Sequence, residues 1–117
     1  MLIDFHTHSS ASDGALSPLD LLQRARERKV SLLAITDHDT VAGYRAAAAH
    51  YTQNFDDVRL IPGVELSCVW SGVTVHVVGL GMDCAHPAMS EALANLDAAR
   101  IARAEKIALR LDKLGFS

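Results

Sequence analysis

The sequence has only two cysteines, Cys68 and Cys84, too few and too poorly spaced for a disulfide framework or a thiolate zinc site. It also lacks any apolar run approaching the roughly 20 residues that a membrane-spanning helix needs. The start, Met-Leu-Ile-Asp-Phe-His, has neither the basic region nor the apolar core of a signal peptide. There is no repeat and no linker, and no excess of basic charge. Eleven basic against 14 acidic residues give a net charge of −3, which argues against broad adhesion to nucleic acid. A nucleotide or an RNA end stays open as a substrate, because bound divalent cations would reverse the sign of the local field. What is present, 50% hydrophobic and 21% charged residues over 117 positions, is the composition of one soluble globular domain, expected in the cytoplasm and not in a membrane. The oligomeric state is not legible.

Strand and helix signals alternate along the chain. Residues 2–5 read as a first core strand built on Leu2, Ile3 and Phe5, followed by a small-residue loop from His6 to Ser17. A helix is predicted from Pro18 to about Lys29, with Ser17 as N-cap, Pro18 at the first helical position and Asp20 at the positive helix end. Ser31 to Thr36 is a continuous apolar run expected to be a strand buried on both faces. Thr40 then caps an alanine-rich helix over about 41–51. A third strand from Val58 to Val64 runs into a hairpin around Ser71-Gly72, and a long helix covers roughly 88–114, ending at Gly115. This order implies an α/β fold with a parallel sheet and outer helices. Residues 1–87 are expected to form the core of strands and helices, with the long helix following. Three to five strands are too few to close a barrel, so an incomplete fold is expected.

Metal-competent side chains fall where strands end, the face on which parallel α/β folds build their sites. His6 and His8 are two apart in an extended segment, so their imidazoles face one way and can grip one ion. Asp13 lies in a loop able to return over that ion. Asp37, His38 and Asp39 follow the second strand. A two-residue turn at Ser71-Gly72 pairs Trp70 with Val73 and Ser67 with His76. Glu65 then shares the face of Ser67, diagonal to His76. One His-x-His pair alone is a weak signal. Six ligands of hard or borderline type at strand ends, namely His6, His8, Asp13, His38, Glu65 and His76, are a strong one.

Other polar residues have plainer readings. Asp39 and Thr40 read as turn and cap. His50 suits a helix end, and His86 precedes Pro87 at a helix start. Cys68, on the hairpin face opposite Glu65, reads as a small core residue, and Cys84 as a loop thiol.

Four segments together carry a specific resemblance: D-F-H-T-H-S-S-A-S-D-G at 4–14, L-A-I-T-D-H-D-T-V-A-G at 33–43, I-P-G-V-E-L-S at 61–67 and V-H-V-V-G-L at 75–80. The chain resembles the PHP family, the polymerase and histidinol phosphatase domains. The resemblance implies the N-terminal part of a distorted (β/α)7 barrel with a trinuclear metal site at the C-terminal strand ends. His6, His8, Asp13, His38, Glu65 and His76 match the first six family ligands, with Glu65 as the bridging carboxylate. The further His or Cys ligand and the late Asp-x-His pair of the family have no counterpart after His76, so a fragment or truncated copy is expected, one that binds metal weakly by itself.

The loop S-A-S-D-G-A-L-S-P and the block T-D-H-D-T-V-A-G look most like the stand-alone phosphoesterases of nucleoside 3′,5′-bisphosphates and RNA 5′ ends. A metal-dependent phosphoesterase acting on nucleotides or RNA ends is therefore expected, with two to three divalent ions (Mn, Fe or Zn) activating water for attack on phosphorus. Asp37 matches no ligand and is expected to orient His38 or a neighbouring ligand.

Three rivals remain. A polymerase-associated PHP domain shares the ligands but usually differs in the first loop. An amidohydrolase-type enzyme also begins with His-x-His but usually needs a late bridging lysine, whose place Glu65 takes. The third is a non-catalytic PHP-like domain for structure or partner binding.

On the last helix, Leu93, Leu96, Ala104, Ile107, Leu111 and Leu114 form one stripe at 100° per residue. Arg100 lies within it and Arg103 on its edge. Arg100 either snorkels or pairs with Asp97 or Glu105, or the two guanidiniums clamp a second phosphate of the substrate.

Overall fold

The computed structural model describes residues 1–54 and 57–115, residues 51–54 by their backbone alone. The elements are β1 (Leu2–Thr7), α1 (Pro18–Glu27), β2 (Val30–Ile35), α2 (Ala42–Asn54), β3 (Arg59–Trp70), β4 (Val73–Leu80) and α3 (Pro87–Lys113). They fall into two compact units, Met1–Cys84 and Ala85–Ser117. No helix among the described residues is long and apolar enough to cross a membrane.

The first unit is an α/β layer. Its sheet has the order β1-β2-β3-β4, parallel between β1 and β2 and between β2 and β3, and antiparallel between β3 and β4. The core is packed by Leu22 and Ala25 of α1, Leu33 and Ile35 of β2, Ala47 of α2, and Val58. Leu33 and Ile35 are two apart and so point to one face, toward the helices. Leu33, Ala34 and Ile35 are all buried, whereas Val30, Ser31 and Leu32 are only half-buried. The strand expected to be buried throughout is so only in the half that leads into the site.

Helix α1 begins as its sequence dictates. The Ser17 hydroxyl accepts the Asp20 N–H at 3.1 Å, with Pro18 at the first helical position. It ends two residues before the expected Lys29, which takes the left-handed conformation (φ 60) that stops a helix and is more often held by glycine. At α2, the Thr40 hydroxyl accepts the Ala42 N–H at 3.1 Å. The helix runs on to Asn54, so His50 lies inside it and not at its end. At α3, His86 is the N-cap, its Nδ1 accepting the Ala88 N–H at 3.1 Å.

Two strands differ from expectation. β1 reaches Thr7 and so includes His6. Among the described residues its one strand partner is β2, and Leu2, Ile3 and Phe5 stand at 54%, 48% and 37% exposure, outside the core. β3 is one 12-residue strand whose first half pairs with β2 and whose second half pairs with β4. Ser71 and Gly72, both with positive φ, form the tight two-residue turn, and the register is Trp70 opposite Val73 and Ser67 opposite His76. Cys68 is half-buried, outside the buried core.

Candidate metal centre

Glu65 is the hub. It is 5% exposed, and its two oxygens face different imidazoles. Oε1 lies 2.6 Å from His6 Nε2 and 3.8 Å from His8 Nε2. Oε2 lies 2.7 Å from His38 Nδ1 and 3.6 Å from His76 Nδ1. Asp13 closes the other side: its Oδ2 is 3.1 Å from His38 Nε2 and its Oδ1 is 3.7 Å from His8 Nδ1. The His8 and His38 rings stack with centroids 4.5 Å apart and planes 6° from parallel, so both present a nitrogen to Asp13. All six residues singled out in the sequence therefore come together.

Each reaches the centre by local structure. The β1 register shifts between Asp4 and Thr7, and His6 and His8 end with their Nε2 atoms 3.2 Å apart. The loop after β1 folds on Ser9, whose carbonyl accepts from Ser12 N at 3.1 Å and Gly14 N at 2.9 Å. Gly14 is needed there, since a Cβ would stand 2.0 Å from the His8 carbonyl oxygen. His38 continues the parallel pairing beyond β2 as an isolated bridge to Glu65. The Glu65 N–H turns to the Asp37 carbonyl (3.0 Å) and its carbonyl accepts from Asp39 N (2.9 Å). Glu65 and Val78 are thus a non-hydrogen-bonded pair of the β3–β4 ladder, the kind with the closer side chains.

The donor set fits divalent metal. Three groups, His6–His8–Glu65, His8–Asp13–His38 and His38–Glu65–His76, each bring ligand atoms within 4.8 Å of one another. His8 Nδ1 is buried without a hydrogen-bond partner, which a coordination bond would satisfy. A neutral imidazole offers one lone pair, so His8 and His38, each in two groups, serve one ion apiece. Mixed imidazole and carboxylate ligands suit Mn, Fe or Zn.

The remaining candidates, Asp37, Arg100 and Arg103, belong to none of the three groups. Among the described residues, the hydrogen bonds to the buried Asp37 carboxylate come from Ser9 and Ser12, in the loop that carries His8 and Asp13, and none from His38. Arg100 and Arg103 lie on α3 in the second unit. Burial raises the Cys84 thiol above its ordinary range, with nearby Arg45 lowering it and Asp83 raising it. Tyr44 is also raised by burial, and by Cys84. Cys84 is in none of the three groups, and a protonated thiol is a poor metal ligand.

Sequence reasoning passed over Ser9, fully buried, and gave Asp39 only a turn role. Asp39 Oδ1 accepts the Ser67 N–H at 2.8 Å. Nothing in a serine-rich loop marks which hydroxyl will be buried.

A cluster of four histidines around a shared carboxylate, drawn from β1, β3, β4 and the loops after β1 and β2 on a sheet with α-helical crossovers, defines a metal-binding α/β domain. The PHP domain model matches residues 4–113, and the chain belongs to that family. It is 48% identical over 113 residues to a 5′-3′ exoribonuclease Rnm of Salmonella typhimurium, covering 97% of this chain and 39% of that protein. It is 41% identical over 115 residues to a 3′,5′-nucleoside bisphosphate phosphatase of Chromobacterium violaceum, covering 98% and 40%. A solved structure described as an amidohydrolase from Chromobacterium violaceum, with bound sulfate and no metal, superposes with a TM-score of 0.84 at 40% identity, over 100% of this chain and 40% of that one. The chain thus spans about two fifths of the length of these relatives.

Proposed function

We propose that this chain supplies His6, His8, Asp13, His38, Glu65 and His76 to a centre of two to three divalent ions that hydrolyses phosphate esters of nucleotides or RNA ends. The observation that carries this is the division of the Glu65 oxygens between two pairs of imidazoles, His6 with His8 and His38 with His76. A carboxylate so placed can serve two ions at once. Bound divalent ions supply Lewis acidity toward a phosphoryl group and a nucleophile from water at neutral pH. The protein's part is to hold six ligands on four segments, and to fix the lone pair each ring offers by the partner of its other nitrogen. The relatives named for a nucleoside bisphosphate phosphatase and an exoribonuclease support this substrate class, and a cytoplasmic setting accords with it.

The test is metal content by mass spectrometry, with hydrolysis assays of the full protein on a nucleoside 3′,5′-bisphosphate, a 5′-phosphorylated RNA, a simple phosphomonoester and an N-acyl amino acid. Metal-dependent turnover of the first two is the expected result. Turnover of the N-acyl substrate alone, or metal binding with no hydrolysis of any phosphate ester, would refute the reading.

Arg100 and Arg103, three apart on α3, are proposed to hold a second phosphate of the substrate, since a guanidinium fork binds phosphate oxygens in a bidentate way. Arg100→Ala and Arg103→Ala should each reduce kcat/KM for the bisphosphate by about 1.5–3 kcal/mol, the scale of hydrogen bonds to charged groups, and leave the simple monoester little affected. Equal losses on both substrates would return the arginines to a structural role.

A further inference from the structure

His38 stands between two aspartates whose carboxylates leave it in different directions. Asp37, 1% exposed, accepts from Ser9 N at 2.6 Å, Ser9 Oγ at 2.6 Å and Ser12 Oγ at 3.0 Å. All three partners reach it as donors. The Ser9 amide can do nothing else, and the Ser9 hydroxyl, whose oxygen accepts from Ala11 N at 3.2 Å, has its own hydrogen to give to Asp37. An acceptor-only carboxylate meets every one of them. The first turn of α2 seals the arrangement: a Cβ on Gly43 would fall 2.1 Å from Asp37 Oδ2 and 2.5 Å from Ser9 Oγ. Because the Ser9 carbonyl also anchors Ser12 and Gly14, the grip on Ser9 fixes the whole course of the chain from His8 to Asp13.

Asp39 faces the other way. Its backbone is left-handed, φ 55, a conformation that aspartate tolerates better than most residues. That turn takes Oδ1 to the Ser67 N–H at 2.8 Å while its own N–H reaches the Glu65 carbonyl. Ser67 is the residue directly opposite His76 in the ladder.

We propose that Asp37 and Asp39 are a pair of positioning residues that fasten three of the four ligand-bearing segments to one another: the loop after β1, the turn after β2, and β3. Asp37 holds the loop of His8 and Asp13, and Asp39 holds the strand of Glu65 at the point that faces His76. This rests on the metal reading above only for its purpose, and it can be tested without metal.

The chemistry sets an asymmetry. Asparagine at position 37 loses the charge and turns an N–H₂ toward the Ser9 hydroxyl, which must then give up its own donation, or toward Ser9 N and Ser12 Oγ; asparagine at position 39 keeps both the acceptor and the left-handed preference. Glycine at 39 keeps the backbone and removes the acceptor.

Amide hydrogen exchange of the metal-free full protein reads both grips. Asp37→Asn should raise exchange at Ser9, Ser12 and Gly14 about tenfold or more and leave Ser67 protected. Ser12→Ala, which removes one hydroxyl and keeps the carboxylate, should move the same amides less, and it serves if Asp37→Asn does not fold. Asp39→Gly should free the Ser67 amide and spare the first loop, and Asp39→Asn should restore Ser67 protection. Mn2+ titration should show affinity weakened about 10–100-fold by Asp37→Asn, as for other groups that orient ligands. Uniform exchange increases in both variants, or Asp37→Asn behaving like the parent, would overturn the proposal. No Mn2+ binding by the parent with the exchange pattern intact would overturn the metal reading and leave the fastening standing.

Discussion

Glu65→Gln is expected to reduce metal-dependent hydrolysis by the full protein about 10²–10³-fold, the scale on which removal of one central electrostatic group acts. Glutamine is nearly isosteric, so the strand and its register should survive. The amide, however, turns a donor toward one pair of imidazoles and offers a neutral oxygen to the other, so neither His6–His8 nor His38–His76 retains its anionic partner. Metal content should fall with activity. The rise in Tm that ligand binding confers on the parent by mass action should largely disappear, while the metal-free Tm stays close to the parental value. A variant with parental metal content and turnover would show that Glu65 is no bridge, and the centre would have to be redrawn around Asp13.

The second large effect is expected from a glycine. In Gly14→Ala the added carbon would meet the His8 carbonyl oxygen at 2.0 Å, its carbon at 2.4 Å and Ser9 N at 2.8 Å. All three are backbone atoms, so no side chain can swing away and the loop itself must shift. Overpacking of this kind costs about 1–3 kcal/mol, and here the displaced backbone joins two ligands, His8 and Asp13. Lower stability should therefore come with weakened metal binding. Gly79→Ala is the control: its nearest neighbour is Val64 Cγ1 at 3.7 Å, an ordinary contact. Denaturant midpoints and metal titrations of the two variants side by side decide the matter. If Gly14→Ala matches Gly79→Ala in both, the close approach of Gly14 to His8 is not what shapes the loop.

Much of the architecture was readable because it rests on local rules. Ser17-Pro18 announces α1 through the geometry of its first turn. Ser71-Gly72 announces a two-residue turn, and once that turn is granted, pairing Ser67 with His76 is counting. The period of two in a strand did the rest, placing Glu65 on the face of Ser67 and hence near His76. His6, His8 and His38 could be found because strand ends on a parallel sheet face one way. The misreadings have the opposite origin. Leu2, Ile3 and Phe5 are apolar enough for a core, but burial depends on neighbours, and among the described residues β1 has one strand partner. The apolar run of β2 is continuous, yet only its second half is buried.

What the sequence determined by itself is thus the order of elements, the hairpin register and the set of metal-competent residues, since each follows from spacing along one segment. Only the tertiary structure decided what Asp37 and Asp39 hold. Their partners, Ser9 and Ser67, are each 28 positions away in the chain. A carboxylate's choice among distant donors has no period and no local signature. It is settled when β1, β2 and β3 align and bring those donors to the carboxylates, with Ser9 fully buried and Ser67 partly so.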